Sequence, residues 1–390
     1  MKTTRFFFYS ILKLTLLIGI VLISSCNKEG CLDPNAINYN PDAKKNNPSD
    51  CQYEEFDRAG MLKNISRNYI SPGIEAYSKS VDTLVSAKNT FISAVNENNL
   101  ITLRNSWKNT LMSWQEISFI GPSDYLPEAY IERLNVYPVD TASINDNITL
   151  SAFPSVKDQG GYQTLDYLLN MSNNADVIAF FNDNMFAAEY LSKVVDDISE
   201  ITNTVKTNWY TDTTSFINNN ANTADGTSIS IIANALNKHY EYYIRRGKFG
   251  LPLNIYDQYT DAVFPNKVEC YYYGQSLPFA KKAVESVKNF LNGCEFRNSE
   301  VNGLGFDDYA DLVNAQYGST SLSTAINDQF DVALSTIDQL QDPLSDQLSS
   351  NRAGVQGVYD NLQQLVILIK NDLTSSALGI QITYADNDGD

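Results

Sequence analysis

A single histidine, His239, serves a chain of 390 residues. That scarcity excludes much. A His-rich zinc site, a two-histidine H-E-x-x-H protease and a non-haem iron triad all need more imidazole than is present. Among Tyr240, Tyr242 and Tyr243 on a helical stretch, His239 reads as a packed side chain rather than a ligand. Positive charge is scarce too. The 28 basic residues face 46 acidic ones, a formal charge of −18, the reverse of the basic footprint that nucleic-acid binding requires. Glycine is too thinly placed for phosphate work: no G-x-S-x-G elbow and no Walker loop occurs, and Gly303 with Gly305 does not make one. Alternating strand patterns are nearly missing, Ile380–Tyr384 being the one candidate. Past the N-terminus no apolar run reaches bilayer length, and Leu365–Ile369 is far too short.

What is present begins with an export signal. Lys2 and Arg5 precede the apolar run Leu14–Ile23, which Lys13 borders and which ends at Ile23-Ser24-Ser25-Cys26. An aliphatic residue three places before a cysteine, then two small residues, is the pattern of a lipoprotein cleavage site. The expectation is a signal peptide over residues 1–25 and lipid on Cys26, with the membrane as the first partner. Several acyl chains anchor stably because each buried methylene contributes roughly 0.8 kcal/mol. Asn27-Lys28-Glu29 behind the cysteine resembles the surface-export signal of Bacteroidetes lipoproteins. That resemblance implies the outer face of the outer membrane, with the periplasmic face as the alternative. Cleavage removes Lys2, Arg5 and Lys13 from the 28 basic residues and no acid, leaving a mature charge near −21. The ~365 mature residues exceed what one core usually serves, so two domains are expected.

Four cysteines then remain in an oxidising compartment. Cys31 and Cys51 bracket an Asn-, Asp- and Pro-rich loop with no apolar core of its own. A disulfide there would contribute about 3 kcal/mol by restricting the unfolded loop. Cys270 and Cys294 would stand ~36 Å apart if one helix ran between them, far beyond bonding reach, and their redox state stays open. Residues 27–55 read as a module on a tether, and Gly30–Asp42 resembles a Cys-bracketed repeat of Bacteroidetes envelope proteins. Asp33, Asn35, Asn38, Asn40, Asp42 and Asp50 offer oxygens to a hard cation such as calcium. The plainer account is that these side chains make turns by bonding nearby backbone.

From residue 57 the periodicity is helical. Pro72 suits a first helical position after Ser71. Apolar residues recur at Ile74, Tyr77, Val81, Leu84, Val85, Phe91, Ile92 and Val95, and again at Leu103, Trp107, Leu111, Trp114 and Ile117 before Gly121-Pro122. Leu191, Val194, Ile198, Ile201, Val205 and Trp209 form another stripe, and helical spacing returns in Ile231–Tyr242, Ala280–Leu291, Leu322–Leu340 and Val355–Leu373. Thr211–Ser228, with three consecutive asparagines, lacks periodicity and reads as a linker or long loop. The fold class is therefore all-α: two helical-bundle domains, residues 56–222 and 223–390, behind the signal peptide (1–25) and the tether with its module (26–55). The closing Asp386-Asn387-Asp388-Gly389-Asp390 looks like the front of a calcium loop but lacks the later ligands, so it reads as an acidic tail.

One local motif carries chemistry. In Gly160-Gly161-Tyr162-Gln163-Thr164-Leu165-Asp166 a glycine turn enters an apolar helix, and Gln163 and Asp166, three apart, share one face. By composition alone this is a helix start with two polar surface residues. The segment nevertheless resembles, in degenerate form, the G-x-H-x-x-E motif of the imelysin family, the insulin-cleaving membrane proteins. Further similarities follow in chain order: Trp114 through Phe119-Ile120-Gly121-Pro122, then Arg245-Arg246-Gly247-Lys248-Phe249-Gly250-Leu251-Pro252. Val268-Glu269, Ser276-Leu277, Gly303-Leu304-Gly305-Phe306 and Ile382-Thr383-Tyr384 complete the series.

The resemblance implies two related helical domains with the motif near their interface, a cell-envelope setting often tied to iron uptake, and classification with metallopeptidases. Gln163 stands where the motif has histidine and Asp166 where it has glutamate. A carboxamide oxygen binds zinc or iron poorly, and the shorter carboxylate places a metal differently. The leading expectation is a non-catalytic lipoprotein that binds a ligand, a peptide or a cation (iron, zinc or calcium) in an interdomain cleft, with a role in metal acquisition. An active metallopeptidase with altered ligands, Asp166 and Glu269 among them, is the competing reading. A surface protein that captures an envelope partner through its Cys-bracketed module is the third.

Overall fold

The structure, a computed structural model, describes residues 29–33, 36, 38–52, 55–120, 126–155, 157–256, 260 and 262–384. The signal peptide, Cys26, Asn35, the Gly121-Pro122 helix stop and the acidic tail lie outside the described residues. The chain divides into two compact units, Met1–Phe56 and Asp57–Asp390.

In the first unit, β1 (Glu29–Gly30) pairs in parallel with β2 (Lys45–Asn46). A disulfide joins Cys31 to Cys51, with Cα atoms 4.9 Å apart. The asparagines bond to backbone, as the turn account requires. Asn38 Nδ2 donates to Asp50 O at 2.6 Å and its Oδ1 accepts from Gln52 N at 2.9 Å. Asn40 Oδ1 accepts from Asp42 N at 3.1 Å, and Asn46 Oδ1 from Leu32 N at 2.9 Å. A unit this small has little apolar surface to bury, so the disulfide and these turns carry its stability.

The second unit is almost entirely helical: α1 (Arg58–Asn64), α2 (Ser71–Ser93), α3 (Glu97–Gln115), α4 (Glu128–Leu134), α5 (Thr141–Leu150), α6 (Gly161–Asn170), α7 (Asn174–Asp183), α8 (Met185–Asn218), α9 (Ser228–His239), α10 (Leu277–Leu291), α11 (Phe306–Leu312), α12 (Leu322–Ile337), α13 (Leu344–Ser350) and α14 (Arg352–Val366). Short hairpins are inserted, β3 (Cys294–Glu295) with β4 (Asn298–Asn302) and β5 (Gln316–Tyr317) with β6 (Thr320–Ser321). Most positions of the apolar stripes read from the sequence are buried, with Val85, Ile92 and Val95 only half-buried. Ile74, Tyr77, Val81, Leu84 and Phe91 of α2 meet Leu103, Trp107 and Leu111 of α3 and Leu191, Val194 and Ile198 of α8, all essentially inaccessible. Side-chain oxygens of Asn96, Asp140, Asn173 and Ser321 accept from the third residue onward and so cap α3, α5, α7 and α12. No described helix is long and apolar enough to cross a membrane.

Three local expectations change. The helix does not begin at Pro72. It runs on from α1 through a π-helical stretch, Ile65–Ile70, in which Ser71 N–H reaches back to Ser66 O. Proline has no N–H for the ordinary bond to four residues before it, and a widened turn accommodates that gap. Thr211–Ser228 is not all linker, since α8 continues to Asn218. The hydroxyls of Thr211 and Thr213 bond to the carbonyls of Thr207 and Trp209. Trp209 packs on Phe216 and donates to Ser71 Oγ at 2.9 Å. Polar threonines therefore sit in a helix whose periodicity they hide, and only the short turn to α9 is loop. Ile380–Tyr384 is no strand: Asn234 stands in for the missing neighbour, donating to Gln381 O at 3.0 Å and accepting from Thr383 N at 2.9 Å. The boundary expected at 222–223 falls in the turn between α8 and α9, within the second unit.

Candidate functional site

The motif begins with a steric requirement. Gly161 opens α6 with φ +72°, and a Cβ there would lie 2.4 Å from Leu134 O and 2.5 Å from Arg133 O. Only glycine lets the start of α6 press against the carbonyl end of α4. That contact brings Gln163 beside Asn135, the residue that ends α4.

From Gln163 a chain of hydrogen bonds crosses the interior. Its Oε1 accepts from Cys270 N at 2.8 Å and its Nε2 donates to Asn135 Oδ1 at 2.8 Å. Asn135 Nδ2 donates in turn to Glu269 Oε1 at 2.7 Å, as does Gln115 Nε2 from the end of α3 at 2.9 Å. The other Glu269 oxygen meets the Lys248 ammonium at 2.5 Å, and Lys248 also donates to Gln115 Oε1 at 3.0 Å. Both charged side chains are almost wholly buried, 4% exposed for Lys248 and 1% for Glu269. Lys248 arrives on the π-helical stretch Tyr240–Gly250 that continues α9.

One turn beyond Gln163, Asp166 is equally enclosed. Its Oδ2 accepts from Tyr272 N and its Oδ1 from Tyr273 N, both at 2.9 Å, with Asn170 Nδ2 at 3.2 Å. Burial pushes its carboxyl up to about 7, against the pull of those amide hydrogens in the other direction. Gln163 and Asp166 together tie down the turn 269–274, in which Cys270 adopts φ +57° and Gly274 φ +72°. Burial also drives the Cys270 thiol well above its ordinary range, so it is no nucleophile. Cys270 and Cys294 are both unpaired.

These residues do not fit a transition metal. The donor atoms of Gln163 and Asp166 are engaged by amides, and Glu269 already holds a cation, the Lys248 ammonium. His239 stands apart from them. Its Nε2 lies 2.9 Å from Ser118 Oγ and its ring stacks on Tyr243 at 5.1 Å. Burial and then the charge of Lys248 lower its pKa to about 3, keeping it neutral. Among the described residues, no three His, Cys, Asp or Glu side chains are grouped to hold an ion.

The network forms one wall of a cavity of about 570 Å³, a size typical of small-molecule sites. Gln115, Asn135 and Lys248 belong to both, and Trp114, Tyr137 and Tyr243 add aromatic wall. Gln163, Asp166 and Glu269 lie behind this wall and do not line it. Sequence reasoning passed over Gln115 and Asn135, and saw Lys248 only as part of a resembling segment. Lys248 did carry a signal. It stands four and eight residues after Ile244 and Tyr240, which puts a charge on the buried stripe of its helix.

The sequence profile of the imelysin family, peptidase group M75, matches residues 70–370. The chain belongs to the imelysin family. Two solved structures share the imelysin-like fold. A Parabacteroides distasonis protein, provisionally described as an iron-regulated protein A precursor, superposes with a TM-score of 0.65 at 14% identity, over 81% of this chain and 95% of that one. An imelysin-like protein from Psychrobacter arcticum gives a TM-score of 0.63 at 15% identity, over 84% and 97%. No functionally curated protein matches the chain. In this chain Gln163 and Asp166 serve as internal anchors.

Proposed function

We propose that this imelysin-family protein is a cell-envelope lipoprotein that binds a small ligand in the cavity beside Lys248 and does not cleave peptides. One observation carries the reading. Every candidate metal donor of the motif is held by a protein partner, while the cavity next to it has polar and aromatic walls drawn from both sides of residue 222. Asp166 has the raised pKa of a general base, yet both its oxygens already accept from the backbone amides of Tyr272 and Tyr273, and the cavity it borders is only about 100 Å³. The anchor on Cys26 and the outward-facing export signal supply the location. The Parabacteroides relative is named for regulation by iron, which is consistent with a role in metal acquisition.

The test uses the full chain purified without chelators. Elemental analysis finds no bound zinc or iron, and casein stays intact with or without added zinc. Zinc-stimulated cleavage that disappears in Asp166→Ala overturns the proposal and restores the metallopeptidase.

A further inference from the structure

Among the described residues, the two most exposed large apolar side chains, Met185 at 91% and Leu150 at 76%, belong to one corner of the helical body. α5 closes on Leu150, and Ser151 at φ +55° turns the chain there. Just past the turn the Phe153 ring, itself 47% exposed, lies 5.1 Å from that of Phe186. Phe186 follows Met185, the residue with which α8 opens. Leaving apolar surface in water is unfavourable, and a patch of it with a polar rim marks a contact site.

Three acids rim this patch. Asp146 stands one turn before Leu150 on α5, Glu189 one turn after Met185 on α8, and Asp183 ends α7 two residues before Met185. All three are exposed, and none has an ion-pair partner among the described residues. The nearest lysines along the chain are engaged, Lys157 by Glu132 at 3.1 Å and Lys193 by Asp197 at 2.6 Å. These signs choose among occupants. A second copy docked by two-fold symmetry sets three acids against three acids. Anionic headgroups of a bilayer meet the same repulsion, and the patch lies far from where the chain enters this unit. Arg58, at the start of α1, donates to Asn220 O and Ala221 O at 3.1 Å each, just past the other end of α8. The 34 residues of α8, at 1.5 Å apiece, put Met185 ~50 Å from that end. A cationic protein surface gains on both counts, covering the apolar side chains and neutralising the acids.

We infer that this corner docks a cationic amphipathic segment of another protein, its apolar face on Leu150, Phe153 and Met185 and its lysines or arginines on Asp146, Asp183 and Glu189. The site is separate from the cavity. The probe is a fluorescein-labelled amphipathic helix of leucine and lysine, with a leucine–glutamate version as control. Anisotropy reads its binding to the full chain carrying Cys26→Ser, which keeps the chain free of lipid. The lysine peptide binds and the glutamate peptide does not. Leu150→Ser/Met185→Ser keeps every charge and weakens binding at least tenfold, with urea unfolding unchanged because both positions are exposed. Asp146→Asn/Asp183→Asn/Glu189→Gln also weakens it at least tenfold. The remote triple Glu300→Gln/Asp328→Asn/Asp360→Asn, on β4, α12 and α14, changes it less than threefold. Attraction to the overall negative charge alone makes the two triples equal, and that result overturns the inference. So does binding that survives Leu150→Ser/Met185→Ser, or no binding of the lysine peptide. A wild-type dimer in sedimentation that Leu150→Ser/Met185→Ser returns to monomer assigns the patch to a second copy and overturns it too. Vesicles of phosphatidylethanolamine and phosphatidylglycerol that retain the wild type but not this variant assign it to lipid, with the same consequence.

Discussion

Replacing Lys248 by methionine removes a buried ammonium while keeping most of its volume. The wild-type pair is short, 2.5 Å, with neither partner more than 4% exposed. In the variant the Glu269 carboxylate stays enclosed with only the amides of Gln115 and Asn135 for company. Breaking a buried ion pair from one side costs about 3–5 kcal/mol, because the remaining charge is desolvated and unopposed. The two amide donors offset part of that, which places the expected loss near the lower end. With a urea slope near the top of the usual ~1–3 kcal/mol/M range, the unfolding midpoint falls by about 1 M. The partner variant Lys248→Met/Glu269→Gln leaves no charge behind and keeps an oxygen for both amides, so it recovers about 2 kcal/mol or more. Tryptophan fluorescence through a urea series reads all three proteins, since Trp107, Trp114 and Trp209 are buried in this unit. A Lys248→Met protein within about 0.5 kcal/mol of wild type refutes the reasoning. A double variant no more stable than the single one does so as well.

Two further outcomes follow from the motif. Gly161→Ala combines left-handed backbone strain, about 1–2 kcal/mol, with a Cβ driven into two carbonyl oxygens, an overpacking cost of about 1–3 kcal/mol. Denaturation should show a loss of at least 2 kcal/mol, and a neutral result removes the steric account of this glycine. Asp166 makes stability depend on pH. Its carboxyl titrates at about 7 in the folded state and near 3.9 unfolded, so the native state holds the proton between those values. Its contribution is therefore greatest at acid pH and is lost as pH rises from about 4 through 7, by up to roughly 4 kcal/mol at 1.36 kcal/mol per unit. Asp166→Asn flattens that fall in a pH series of urea unfolding. The slope that survives belongs to groups such as Asp307, also raised to about 7 by burial. Equal slopes in variant and wild type reject the assignment.

Much of the helical body was legible because burial imposes a period. Every stripe such as Leu103–Trp107–Leu111 had one dry side to find, and α2, α3 and α8 bear those stripes inward. The reading lost its grip where side chains substituted for backbone. Thr211 and Thr213 satisfied helix carbonyls without apolar spacing, Asn234 replaced a strand partner for Gln381 and Thr383, and Pro72 forced a wide turn in mid-helix. The site was half visible. Glycine followed by two polar residues three apart marked Gln163 and Asp166, but spacing on one helix says nothing of what approaches from elsewhere. Asn135, Gln115 and Lys248 come from α4, α3 and the stretch after α9, and no local pattern joins them.

The sequence by itself determined the family, the helical class, the poverty in imidazole that rules out standard metal sites, and the pairing of Cys31 with Cys51. The family follows from the resemblance of segments met in order along the chain, and the rest from composition and spacing. Only the tertiary structure decided what the polar residues of the motif do. Whether a carboxylate binds a metal, takes a proton or anchors a turn depends on the groups that enclose it, and for Asp166 the two backbone amides that do so lie 106 and 107 residues away. Folding brought Cys270, Tyr272 and Tyr273 to Gln163 and Asp166, and an ammonium to Glu269, and so made these polar side chains internal anchors behind the cavity wall.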